Sequence, residues 1–116
     1  MLLACTAAGE GFQEIEPADL ETALAADSAP LLLDVRTPEE FGSGHIPGAL
    51  LIPIDELPER LDELAAFKER GVITYCERGT RATRALELLE SAGFQNLRLL
   101  AGSMSRWRGE ERVENP

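Results

Sequence analysis

Cys76 is the residue of this sequence best placed to do covalent chemistry. It opens the loop Cys76-Glu77-Arg78-Gly79-Thr80-Arg81, which follows Val72-Ile73-Thr74-Tyr75 and precedes Ala82-Thr83-Arg84-Ala85-Leu86-Glu87-Leu88-Leu89. The first flank is β-branched and apolar enough for a buried strand. In the second, Ala82, Ala85, Leu86 and Leu89 fall at i, i+3, i+4 and i+7, one apolar face of a helix. Gly93 sits where a helix end accepts a left-handed residue. A thiol between a strand and a helix start meets free amides and a partial positive charge, and both favour thiolate. Gly79 lets the backbone curl around it, and Arg78 and Arg81 suit an anion. A cysteine without such neighbours is usually a small buried hydrophobe. With them, Cys76 reads as a nucleophile.

The rest of the composition bounds the partners. The chain has 116 residues, enough for one domain and one core. Its net charge is −10, and ten of its eleven basic residues are arginine. An acidic surface argues against nucleic acid and anionic membranes, and it makes the arginines beside Cys76 a local exception. There is no internal repeat, no low-complexity tract and no apolar run long enough to span a bilayer. Two cysteines do not make a disulfide framework, and a Cys5–Cys76 bridge would consume the nucleophile.

Positioning the loop requires an alternation of strands and helices. Gln13-Glu14-Ile15 suits an edge strand, and Pro17 starts a helix through Ala26 with Leu20 and Leu24 inward. Leu31 to Val35 is a near-continuous apolar run, expected as a central parallel strand. Thr37 caps a short helix with Pro38 first and Glu39 and Glu40 in its opening turn. Ala49 to Ile52 forms a short strand that Pro53 stops. Asp55 is expected to cap a helix through Leu57, Leu61 and Leu64. Asn96 to Leu100 is the last strand, and Gly102 to Trp107 a short closing helix or turn. Alternating strands and helices imply a parallel α/β sheet covered on both faces. In such sheets sites form at the carboxyl ends of strands, where Cys76 falls.

The loop pattern Cys-x-x-Gly-x-Arg resembles the active-site loop of the rhodanese family of sulfurtransferases. Three further stretches resemble that family's signatures in order: Leu31 to Phe41, Gly44-His45-Ile46-Pro47-Gly48-Ala49, and Leu99 to Trp107. The resemblance covers residues 12–109, with 1–11 as an N-terminal tail and 110–116 as a C-terminal one. Ala101 stands where the family usually has a second glycine. The resemblance implies a three-layer α/β sandwich around a mostly parallel five-stranded sheet. It implies sulfur transfer from an anionic donor, thiosulfate favoured, through a persulfide on Cys76 to cyanide, a thiol or a protein cysteine. No metal or organic cofactor is needed. Glu77, Arg78, Gly79, Thr80 and Arg81 would form the substrate-binding loop, with Arg81 ahead of Arg78 in steering the donor and Glu77 turned to solvent. Asp34 and Arg36 read as a supporting ion pair near the site, and His45 as a structural residue, not a base. Trp107 reads as a lid or core anchor. The alternative is a non-catalytic rhodanese-like binding, regulatory or sulfur-carrier module, although such modules typically lack the cysteine. Cysteine phosphatases carry arginine six positions after the nucleophile, and that position here is Ala82. The shorter loop suits one sulfur atom better than a phosphoryl group.

The cytoplasm is the expected compartment. The alternative is a bacterial envelope, because Leu2-Leu3-Ala4-Cys5 resembles a lipoprotein processing site and Thr6 to Gly11 would then be a tether.

Overall fold

A computed structural model describes residues 11–114. The Leu2 to Cys5 segment, the expected tether and the Cys5 end of the excluded bridge lie outside the described residues.

Five strands form one all-parallel sheet: β1 (Gln13–Ile15), β2 (Leu31–Asp34), β3 (Leu50–Leu51), β4 (Val72–Tyr75) and β5 (Leu97–Leu100). Their spatial order is β1-β5-β4-β2-β3, so β1 and β3 are the edges and β4 is central. The helices are α1 (Pro17–Leu24), α2 (Pro38–Gly42), α3 (Thr80–Ser91) and α4 (Ser103–Glu114). In β2 and β4 every residue is buried, as a sheet covered on both faces demands.

The period-two alternation of the central strands sorts side chains into two cores. Leu31, Leu33 and Val72 face one side, where the apolar stripe of α3 (Ala82, Ala85, Leu86, Leu89) covers them. Leu32, Ile73 and Tyr75 face the other, with Leu20 of α1 and Met104 of α4. Trp107 packs partly buried against this second core, as an anchor would.

Three element expectations are corrected. The segment after Pro53 is not an α-helix capped by Asp55; it forms two 3-10 turns, Leu57–Glu59 and Leu61–Phe67. Pro58 removes a donor there, and Leu61, Leu64 and Phe67 recur every three residues, which is the 3-10 period. The closing helix does not stop near Trp107 but runs to Glu114. The left-handed positions at the start of α4 are Gly102 (φ 76°) and Ser103 (φ 51°). Ala101 still belongs to the sheet end, its N–H donating to the Ile15 carbonyl at 2.9 Å. The backbone therefore asks for a second glycine at Ser103, not at Ala101.

Candidate active site

Cys76 is the first residue past the carboxyl end of β4, and three loop residues separate it from α3. Its sulfur accepts two backbone hydrogen bonds, from Gly79 N–H at 3.0 Å and Ala82 N–H at 3.3 Å. The curl that brings both amides to one atom needs φ 121° at Gly79, a conformation that disfavours any residue with a Cβ. Thr80 and Arg81 contribute the remaining N–H groups of the first helical turn, which have no acceptor inside the helix. Cys76 is only 1% exposed and belongs to the α3-side core, yet it borders an open cavity of about 300 Å³. Glu40, Glu77, Arg78, Thr80 and Arg81 line the rest. Burial alone would argue for an inert thiol; the aimed amides and the open cavity argue for a reactive one.

The charges at the cavity are arranged in pairs. Arg81 grips Glu40 of α2 in a two-pronged contact, Nη1 to Oε1 at 2.8 Å and Nη2 to Oε2 at 3.0 Å. Those bonds, followed by the Thr37 amide, hold the Glu40 carboxyl down at about 2. Glu40 also closes the capping box of α2, its Oε1 accepting the Thr37 N–H at 2.9 Å. Glu77 accepts from Arg108 Nη1 at 2.8 Å and from Ser105 Oγ at 3.2 Å, and Arg36 Nη1 stands 3.6 Å away. Arg108, ahead of the other partners, lowers the Glu77 pKa. Arg78 is exposed, lines the cavity and forms no ion pair among the described residues.

Beneath the loop lies a buried pair. Arg36 Nε and Nη2 reach the Asp34 carboxylate at 3.0 and 2.8 Å, and Nη2 also donates to the Gly44 carbonyl at 2.8 Å. Burial works against the Arg36 charge, but Asp34 outweighs it and the pKa rises. The Arg36 guanidinium sits 5.6 Å from the centre of the Tyr75 ring. Burial also pushes the Tyr75 hydroxyl up, and that hydroxyl accepts the Ile46 N–H at 3.1 Å.

The family model of the rhodanese-like domain matches residues 16–110. The chain belongs to the rhodanese-like family. A sulfurtransferase of Allochromatium vinosum is 36% identical over 94 residues, 81% of this chain and 86% of that protein. The human thiosulfate:glutathione sulfurtransferase is 34% identical, over 87% of this chain and 97% of its own length. Among solved structures, the rhodanese-related protein of Thermoplasma volcanium superposes with a TM-score of 0.74 at 31% identity, covering 85% of this chain and 93% of that one.

On this rhodanese-like frame, the structure brings Cys76, Glu77, Arg78, Thr80 and Arg81 to one cavity, with Gly79 shaping the loop. Asp34 and Arg36 form the expected buried pair below it. His45 is exposed, stacks on Phe41 with ring centres 3.7 Å apart, and takes no part in the cavity lining. Glu77, expected to face solvent, is 29% exposed and held by Arg108 and Ser105. Arg81 grips Glu40, while Arg78 forms no ion pair among the described residues.

Sequence reasoning missed two contributors. Glu40 appears there only as a first-turn acid; the Thr37-x-x-Glu40 spacing signals its cap, but nothing local signals a partner 41 residues away. Ser103 lies in a quoted signature without a role, and its left-handed backbone has no sequence signal. Its Oγ accepts the Cys76 N–H at 3.3 Å, while Met104 N–H and Ser105 N–H donate to the Cys76 and Glu77 carbonyls at 2.9 and 3.0 Å. Among the described residues, no group of three or more His, Cys, Asp or Glu side chains could hold a metal ion, and no helix is long and apolar enough to cross a membrane.

Proposed function

We propose that this protein is a sulfurtransferase that carries sulfur as a persulfide on Cys76, with thiosulfate the favoured donor. The observation that carries the reading is the Cys76 sulfur held by two backbone N–H groups beside an open cavity. Amides aimed at sulfur stabilise its anion without a proton partner. The thiolate attacks the outer sulfur of thiosulfate. A sulfur–sulfur bond forms, the sulfur–sulfur bond of thiosulfate breaks, and sulfite leaves with the electron pair. The terminal persulfide anion then lies where the Thr80 and Arg81 N–H groups lack helical acceptors. A thiophilic acceptor (cyanide, a thiol or a protein cysteine) attacks that outer sulfur and returns the Cys76 thiolate. Arg78 draws the anionic donor in, while the Asp34–Arg36 pair and Glu40–Arg81 hold the loop.

A thiosulfate donor and a thiol acceptor gain support from the human relative's name. The chemistry needs a reduced thiol, which favours the cytoplasm. The rival reading, a binding or sulfur-carrier module, draws on the 1% exposure of Cys76. Thiocyanate production from thiosulfate and cyanide separates the two. Wild type should turn over with ping-pong kinetics, and Cys76→Ser should give none. Equal rates from both proteins would remove the enzyme reading.

A further inference from the structure

We infer that Ser103 is a positioning residue whose hydroxyl fixes the Cys76 peptide so that the sulfur meets its amide donors, a role that rests on the sulfur-transfer reading. Ser103 is fully buried and sits at φ 51°, a conformation that L side chains other than Asn and Asp rarely adopt. Glycine would adopt it without strain. A side chain kept there needs a contact to offset the strain, and the contact is made to the nucleophile itself. Oγ accepts the Cys76 N–H at 3.3 Å. On its other side, Oγ lies 3.9 Å from where a Cβ on Gly79 would stand, so it packs against the loop residue that donates to the sulfur. Met104 and Ser105 hold the same stretch through its carbonyls, making the first turn of α4 a clamp on residues 76 and 77. The Ser103 hydroxyl is the part of this clamp on Cys76 that depends on side-chain identity.

Two substitutions separate the hydroxyl from the strain. Ser103→Gly removes both, whereas Ser103→Ala removes the hydroxyl and keeps the strained Cβ. The strain relieved and the hydrogen bond lost are of similar size, so Ser103→Gly should melt within a few degrees of wild type. Ser103→Ala should melt lowest. Reactivity of Cys76 is read from the rate profile of iodoacetamide alkylation in a Cys5→Ser background, where one thiol reports. Both Ser103 variants should alkylate more slowly than wild type. Their kcat for sulfur transfer should fall about tenfold with KM for thiosulfate unchanged, the scale of a small misplacement at a reacting centre. The inference is overturned if Ser103→Gly matches wild type in alkylation profile and kcat. It is equally overturned if reactivity falls only in step with a collapse in melting temperature. Should wild type transfer no sulfur while the alkylation profiles still separate, the sulfurtransferase reading fails and the positioning role of Ser103 stands.

Discussion

Arg78 and Arg81 sit three residues apart in one loop, yet they face different tasks. Arg81 spends its guanidinium on Glu40, with both nitrogens on both oxygens. Releasing it to bind a donor would leave the Glu40 carboxylate unpaired beside an anionic substrate, which favours a loop-holding role for Arg81. Arg78 has no such partner among the described residues. Arg78→Ala should therefore raise KM for thiosulfate about tenfold, the worth of one charge-assisted contact, with the Cys76 alkylation rate unchanged. Arg81→Ala should lower kcat and the melting temperature together. Steady-state kinetics beside thermal melts check both, and the opposite pattern would return the steering role to Arg81. The sequence made the cationic loop legible because Cys76, Gly79 and both arginines are consecutive or nearly so. It could not divide their labour, because the group that decides, Glu40, arrives from another helix.

Elements were legible where local preference and burial agree. β4 and α3 follow from a β-branched run and from an i, i+3, i+4, i+7 stripe, and both formed as the pattern requires. α2 follows from its Thr37 cap, Pro38 and Glu40. The 3-10 turns are hard to read from sequence because leucines spaced by three and four fit either helix, and only the three-residue recurrence through Phe67 and the missing donor at Pro58 decide. Close backbone approach is invisible to any pattern. Gly71, just before β4, holds φ 105°, and a Cβ there would stand 2.6 Å from the Asn96 carbonyl oxygen. Gly71→Ala should destabilise the fold by roughly 1–3 kcal/mol, since β4 must shift against the turn that leads into β5. Urea melts measure this, and an unchanged midpoint would contradict the packing described at that turn.

Across the whole molecule, an acidic chain of net charge −10 uses some of its arginines in ion pairs that tie segments together. Glu40–Arg81 joins α2 to α3, and Glu77–Arg108 joins the loop to α4. Glu40 has a folded pKa of about 2, below its ordinary 4.5. A depressed carboxyl stabilises the fold above its unfolded pKa and loses that contribution as pH falls through the folded one. Acid should therefore erode stability between pH 4.5 and about 2, in part through this group. Glu40→Gln should melt lower at neutral pH and fall less steeply across that window; a parallel curve would show that the pair contributes nothing to acid sensitivity. The Glu40–Arg81 and Glu77–Arg108 ties both anchor residues of the stretch that follows Cys76. The most direct test is the intact mass of the protein after thiosulfate treatment. Wild type should gain one sulfur, about 32 Da, which cyanide then removes, and Cys76→Ser should gain nothing. A wild-type mass that does not change, or the same gain on Cys76→Ser, would contradict the account.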